Sequence, residues 1–322
     1  MFLLAALAVG GWVWWAVYAP VLPAQTQSVL LHTGYSTRRI GAELKKAGVI
    51  RSALAFRLWH SLHPKPPLKA GEYVFEREAS LPQVYGRIAR GDVYFHTVTI
   101  PEGYTMFDIA KVMEDAGLGS AEDFVGVAET RTQLIADLAP EAKSLEGYLF
   151  PNTYEFTRTQ TPEEMVGAMV RQFRQVAQQI GLDTDVHRRV TMASIVEKET
   201  AVPEERPRVA SVYYNRLAMK MALDADPSVI YAELLTGTYK GSLRHADLSV
   251  HSPYNTYRVA GLPPGPIGNP GRSALEAALH PESTKFLYFV SDGNGHHRFA
   301  RSLQEHNRNV TAYRRTLGRT ER

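Results

Sequence analysis

The sequence predicts an α+β chain in three parts: an N-terminal transmembrane helix, a small α+β module with a repeated strand-helix unit, and a larger, mainly helical domain with irregular loops. Three observations predict it. Residues 1–22 carry no charge, two stretches beginning near 28 and 97 echo one another, and after Glu122 the texture shifts to long helical runs separated by loops rich in Pro, Gly, Asn and Tyr. With 322 residues, 44% hydrophobic and 21% charged, the chain has apolar material for a core and length for about two domains. Its formal charge of +3 is spread along the chain without a Lys/Arg block, so no nucleic-acid surface is indicated. The lack of cysteine excludes disulfides, thiolate metal sites and a Cys nucleophile, and suits either side of a membrane.

Residues 1–22 read MFLLAALAVGGWVWWAVYAPVL. At about 1.5 Å per helical residue this run is long enough to cross a bilayer core of roughly 30 Å. Trp12, Trp14, Trp15 and Tyr18 crowd toward one end, as in an interfacial aromatic belt, and Pro20 and Pro23 suit a stop after it. The alternative is a signal peptide cleaved after Ala19, but the apolar run exceeds a usual signal core, which favours an anchor over residues 1–23. No Lys or Arg precedes Arg38, so charge does not orient the segment.

The echo sets SVLLHTGYSTRRIGAELKKAGVI, residues 28–50, against TVTIPEGYTMFDIAKVMEDAGL, which starts at Thr97. In each, an apolar run suggests a strand, Gly-Tyr a turn, Ser36 or Thr105 a helix cap, and Gly48 or Gly117 a helix end. Ile40, Leu44 and Ala47, and again Ile109, Met113 and Ala116, mark the inward helix face. Between the copies lie a helical FRLWHSL, a Pro-rich break at 64–67, a strand over Gly71–Phe75 and a helix ending near Gly91. Residues 25–125 therefore form one module, loosely similar to LysM-type units that contact glycan; a packing scaffold or spacer explains the repeat equally well.

A boundary near 125–145 opens the second domain, residues 126–322. Helices are expected over Pro162–Ile180 and residues 183–198, 204–221, 273–279 and 302–317, the last opening with a capping box from Ser302 to Glu305. A strand is expected over residues 286–291.

The most informative run for chemistry is VTMASIVEKET, residues 190–200, where Glu197 and Glu199 end an otherwise apolar helical segment. A carboxylic acid kept protonated near neutrality by apolar walls is what glycosidic cleavage needs, because the departing sugar oxygen must receive a proton. Periodicity does not choose between the two: Val186, Val190 and Ala193 lead to Glu197, whereas Met192, Ile195 and Val196 lead to Glu199. On its own, a helix-terminal Glu-Lys-Glu is more often a solvated surface feature.

VTMASIVEKETAV followed by ERPRVASVYYNRL resembles the signature helix pair of the endolytic murein transglycosylases, the MltG/YceG-like family. Four further blocks are similar and in order: EGYLFPNTYEF, ADPSVIYA, SPYNTYRVAGLPPGPIGNPG and YFVSDGNGHHRFARSLQEHN. Together with the two repeats the likeness covers nearly the whole chain. The resemblance implies a cofactor-free lyase that cuts the MurNAc-GlcNAc bond of nascent peptidoglycan and leaves 1,6-anhydroMurNAc ends, so terminating strand growth. One glutamate acts first as acid and then as base, and by match to the motif it falls on Glu199, with Glu197 the second candidate. The resemblance also implies a partner among the peptidoglycan synthases. With the anchor, it places a single-pass protein in the bacterial cytoplasmic membrane, its catalytic domain on the periplasmic or extracytoplasmic side.

The other blocks have physical readings as substrate contacts. Tyr148 and Tyr154 around Asn152 could present rings to sugar faces and an amide to hydroxyls, and Tyr254, Asn255 and Tyr257 could flank a groove. Asp226 joins the candidates; with Pro227 it most simply starts a turn or helix, and Asp224 departs from the Gln the resemblance leads one to expect. The Pro and Gly of residues 261–271 suit a groove wall or a structural turn. His296, His297 and His306 lack tight ligand spacing, so no metal is expected. Two rival functions stand beside the lyase. One is a hydrolytic muramidase, with Asp226 or Glu146 as second carboxylate, and the other is a membrane-tethered glycan-binding scaffold for cell-wall synthases.

Overall fold

The computed structural model describes residues 2–63 and 67–320, so the Pro-rich break at 64–67 lies largely outside the described residues. In chain order the elements are α1 (Phe2–Tyr18), β1 (Gln27–Leu31), α2 (Thr37–Lys46), α3 (Ala53–Leu62), β2 (Gly71–Phe75), α4 (Leu81–Arg90), β3 (His96–Thr99), α5 (Met106–Asp115) and α6 (Ala121–Thr130). They continue with β4 (Thr153–Phe156), α7 (Pro162–Ile180), α8 (Val186–Glu199), α9 (Arg206–Ala218), α10 (Asp226–Leu235), α11 (Arg272–Leu279), β5 (Tyr288–Ser291), β6 (His297–Ala300) and α12 (Leu303–Thr320). The strands form three two-stranded sheets, β1-β2, β3-β4 and β5-β6. The class is α+β with helices dominant.

The chain divides into two compact units, the first comprising Met1–Val98, Ala116–Gly119 and Tyr154–Thr161. Within it β1 and β2 pair antiparallel, from Gln27 opposite Phe75 to Leu31 opposite Gly71. The alternation of the strands sends Val29, Leu31, Tyr73 and Phe75 into one core with Leu44, Phe56, Val84 and Ile88 of the helices. Local signals start and stop these helices. The Ser36 hydroxyl accepts the Arg39 amide at the start of α2, Ser52 caps α3 in the same way, and Gly91 ends α4 in the left-handed conformation.

The transmembrane helix expected from the sequence is not found among the described residues. An apolar helix does form, but it spans 17 residues, about 26 Å at 1.5 Å per residue against a bilayer core of roughly 30 Å. Among the described residues no helix is long and apolar enough to cross a membrane. The physical reason lies at its C-terminal turn, which packs on protein. Ala16 and Val17 are buried in the first unit's core, the Arg51 guanidinium sits 4.5 Å from the Trp15 ring, and Tyr18 meets Trp59 edge to face. Arg51 also donates to the Pro20 carbonyl at 2.7 Å, and Val21 bridges to Ala79. Aromatic residues expected at a lipid interface thus include two that dock on their own module.

The second unit comprises Thr99–Asp115, Ser120–Thr153 and Pro162–Arg322. Its α5 is the helix of the second repeat, and there Thr105 and Asp108 cap reciprocally, each accepting the other's amide. Helix α7 follows the apolar period of its sequence, burying Met165, Val166, Met169, Val170, Phe173 and Val176. Helix α8 differs: every residue from 190 to 196 is buried, so it runs through the unit with protein on all sides. Near the C-terminus β5 and β6 form an antiparallel hairpin with Phe289 opposite Phe299. The sequence reading anticipated only the first of these strands. Ser302 then caps α12 through the Glu305 amide.

Candidate active site

Because α8 is enclosed, the surroundings of Glu197 and Glu199 follow from their partners, and these differ. Glu197 Oε1 accepts Arg206 Nη2 at 2.6 Å and Oε2 accepts the Gly271 amide at 2.9 Å. Both members of this ion pair are buried, and Arg206 also reaches Glu102 at 3.4 Å. Burial pushes the Glu197 carboxyl up, opposed by the Gly271 amide and the Arg206 charge. With both oxygens committed, Glu197 ties the end of α8 to the start of α9 and to the loop before α11.

Among the described residues Glu199 has one hydrogen-bond partner. Its Oε1 accepts the Tyr213 hydroxyl of α9 at 2.8 Å, and Oε2 takes no hydrogen bond among the described residues. The side chain opens into a cavity of about 410 Å³, lined with it by Tyr213, Arg216, Asp224, Asp226, Tyr257, Tyr288, Phe289 and His306, among others. Burial pushes its carboxyl up to about 7, helped by the negative charge of Asp226 and opposed by the Tyr213 hydrogen bond and Arg216. Near neutrality it is therefore populated in both protonation states, the condition for giving and then taking a proton.

The cavity's walls come from four further elements. Asp226 stands at the N-terminus of α10, where the helix dipole favours its charge, and accepts the Tyr257 hydroxyl. Arg216 is held by the Leu287 and Leu223 carbonyls at 2.7 and 2.8 Å, lies 5.1 Å from the Tyr288 ring, and pairs with Asp224 at 3.1 Å. Asp224 adopts a left-handed φ of 51°, which Asp reaches more readily than most residues with a side chain, and this turns the chain into α10. Phe289 of β5 packs edge to face on Tyr213, and the ring of His306 from α12 stacks on Tyr288 at 5.2 Å.

Of the sequence-selected binding residues, Asp226 and Tyr257 line this cavity and the others do not. The Tyr148 hydroxyl, fully buried, meets His187 Nδ1 at 2.8 Å. Asn255 is spent on its own loop, donating to the Leu248 and Val250 carbonyls and accepting the Tyr257 amide. Tyr254 lies against the Tyr231 ring at 5.0 Å. Asn152 accepts the Thr153 amide through its side chain and the Ile100 amide through its backbone. Tyr154 belongs to the first unit and stacks on Phe156. Glu146 is fully enclosed: it accepts the Met106 amide at the start of α5, Asn269 Nδ2 at 2.7 Å and the Tyr231 hydroxyl.

Residues 261–271 brace this machinery. Asn269 uses its whole amide, accepting the Gly147 and Leu149 amides and donating to Tyr104 O and Glu146. The Ile267 amide donates to Ser194 Oγ within α8. Pro266 packs so close to Gly147 that a Cβ there would sit 2.4 Å from it, and Gly147 has φ 89°. Gly147→Ala is expected to cost about 2–4 kcal/mol from strain and clash together, read as a lower urea midpoint.

Tyr213, Arg216, Tyr288 and Phe289 were not singled out in the sequence, and His306 stood there only as a histidine without tight ligand spacing. For Tyr213 a signal existed: it lies on α9 in the block paired with the Glu-Lys-Glu helix, and a buried Tyr needs a hydroxyl partner. His296 and His297 instead meet Glu205. Burial pushes that carboxyl up, but the His297 ring at 2.7 Å, its amide and His296 bring it below its ordinary value.

Fold and site together define an α+β protein with a polar, aromatic-walled cavity that the Glu199 carboxyl lines. The YceG-like family model matches residues 29–312, and the chain belongs to that family. It is 34% identical to an endolytic murein transglycosylase of Bacillus subtilis (strain 168), over 89% of this chain and 85% of that protein. Against one of Streptococcus pneumoniae serotype 2 (strain D39 / NCTC 7466) it is 30% identical over 96% of this chain, spanning only 63% of that relative's length. The crystal structure of a yceG-like protein from Listeria monocytogenes superposes with a TM-score of 0.57 at 34% identity, covering 88% of this chain and 99% of that one.

Proposed function

We propose that the chain is a bacterial cell-wall enzyme, an endolytic murein transglycosylase, with Glu199 as its acid and base. The observation that carries the assignment is a buried carboxyl poised near 7 at a cavity wall, with one oxygen that takes no hydrogen bond among the described residues. Protonated Glu199 gives its proton to the glycosidic oxygen between MurNAc and GlcNAc. The C1–O bond breaks with its electron pair on the departing sugar, and positive charge develops at the anomeric carbon. The Glu199 carboxylate then takes the proton of the MurNAc 6-hydroxyl as that oxygen attacks C1. Proton count closes, no water enters, and the end is a 1,6-anhydro sugar. Asp226, charged and fixed by Tyr257, would stabilise the cationic carbon electrostatically. Cuts within nascent strands would end their growth, which puts the enzyme's work in the envelope beside peptidoglycan polymerases.

Asp226 also supports a second reading, since a second carboxylate facing the acid is what a hydrolytic muramidase needs. Fragment mass decides. Incubated with uncrosslinked glycan strands, the protein is expected to release internal fragments with anhydro ends. Fragments heavier by one water would establish hydrolysis, and no fragments at all would leave a glycan-binding scaffold.

A further inference from the structure

We propose that Tyr213 is the positioning residue of the catalytic carboxyl: by holding Oε1 of Glu199 it fixes the rotamer and leaves Oε2 as the oxygen that exchanges the proton with substrate. The inference rests on the transglycosylase reading and names a residue that reading does not require.

Geometry carries it. The hydroxyl lies 2.8 Å from Oε1, and Glu199 has no other hydrogen bond among the described residues. Tyr213 is itself 2% exposed, and its ring is set by the edge of Phe289 on the β5-β6 hairpin. Phe289 in turn lies edge to face against the His297 ring, and His297 is tied to Glu205 just before α9. Tyr213 is therefore not an adaptable surface hydroxyl. It is a donor at a fixed point, and burial beside the Glu199 carboxyl pushes its own proton loss well above the ordinary tyrosine range, so it stays a donor through the working pH.

One consequence concerns which oxygen reacts. A carboxyl with two free oxygens and a free terminal torsion samples many orientations, and only some present a proton to a glycosidic oxygen at hydrogen-bond distance. Holding one oxygen removes that search. The second consequence concerns proton affinity. A donor to the carboxylate favours the charged form, offsetting part of what burial does, so the same hydroxyl keeps Glu199 from being locked in its acid form.

Other groups face Glu199 as well. From α9 comes Arg216, from the N-terminus of α10 Asp226, and from the loops Asp224 and Tyr257. Tyr288 of β5 and His306 of α12 complete the titratable lining, and burial with the nearby Arg216 charge lowers His306 so that it stays neutral. On α11, which packs along α8, Arg272 and Glu276 pair with one another at the surface. Of these groups Tyr213 alone hydrogen-bonds the carboxyl among the described residues.

Tyr213→Phe removes the hydroxyl and keeps the ring on Phe289, so the fold is retained, as circular dichroism will check. Tyr214→Phe is the control, since the Tyr214 hydroxyl donates to the Ala278 carbonyl on α11. Two readouts are compared in the full chain. The first needs no activity: with ¹³C-labelled Glu carboxyls, the Glu199 resonance, assigned by its loss in Glu199→Gln, is titrated by NMR. Its midpoint is expected to rise by about one pH unit in Tyr213→Phe and to stay in Tyr214→Phe. The second is cleavage, where kcat is expected to fall roughly tenfold with KM held and the alkaline limb of the profile displaced upward.

An unmoved or lowered midpoint in Tyr213→Phe overturns the inference, as does an equal shift in Tyr214→Phe. A changed KM with constant kcat assigns Tyr213 to substrate binding instead and also overturns it. If wild type releases no anhydro fragments, the transglycosylase reading fails, while the NMR midpoints still decide whether Tyr213 governs Glu199.

Discussion

Glu199→Gln is expected to lower cleavage at least about a thousandfold, because one group gives up both the acid and the base role, each worth roughly 10²–10⁴. The amide keeps the size of the side chain and can still accept from Tyr213, so the loss is chemical and KM for glycan strands should hold. The same substitution is expected to stabilise the protein at alkaline pH. The carboxyl's folded value of about 7 exceeds its ordinary 4.5, so the folded state holds a proton that the unfolded state releases between those values. Stability attached to this group is therefore complete at pH values below 4.5 and is lost as pH rises through about 7. At pH 8 a neutral amide avoids a penalty on the order of 3 kcal/mol. Melting curves at pH 5 and pH 8 check it: the variant should gain at pH 8 and gain little at pH 5. Wild-type kcat/KM should fall above about pH 7, where the free enzyme lacks the proton it must donate. A variant that keeps a tenth of the activity would remove Glu199 from the acid role.

How much of this was legible in the sequence depends on whether the deciding interaction is local. Helix α7 was readable to its ends because its apolar period is clean and Pro162 suits the first helical position. The caps at Ser36 and Ser302 were local too, each reaching an amide three residues on. The choice between Glu197 and Glu199 was not, since a helix buried on every side has no apolar face to count from. Partners 9, 14 and 74 residues away distinguish them. The repeat told a similar story: its strands look alike, yet β1 pairs with β2 and β3 with β4, pairings fixed by tertiary packing. Strand β6 escaped notice because its four residues carry little apolar signal of their own. The N-terminal helix was visible as an apolar helix, but apolarity alone does not say whether lipid or protein covers it. The docking of its last turn on Arg51 and Trp59 was what composition could not show.

Arg206→Ala is expected to destabilise the fold by about 3–5 kcal/mol, the cost of leaving a buried charge without its counter-ion. Glu197 is 5% exposed at its side chain and Arg206 6%, so water cannot enter to compensate. The loss should depend on pH with a sign that identifies its origin. Removing the guanidinium takes away a charge that favours the Glu197 carboxylate, so its carboxyl, already raised by burial, rises further. At low pH the unpaired carboxyl is protonated and the deficit is small. As pH increases the variant must either ionise an unpaired buried group or hold a proton the unfolded chain releases, and the deficit grows. Urea unfolding at pH 5 and pH 8 therefore should show the larger loss at pH 8. Glu197→Gln should be milder, because the Gly271 amide keeps an acceptor, although Arg206 then retains only the more distant Glu102. Cleavage separates this pair from Glu199: a Glu197→Gln protein that remains folded should keep making anhydro ends at a reduced rate. A fully stable but silent Glu197→Gln would instead move the acid to residue 197 and make the Arg206 pair part of the chemistry.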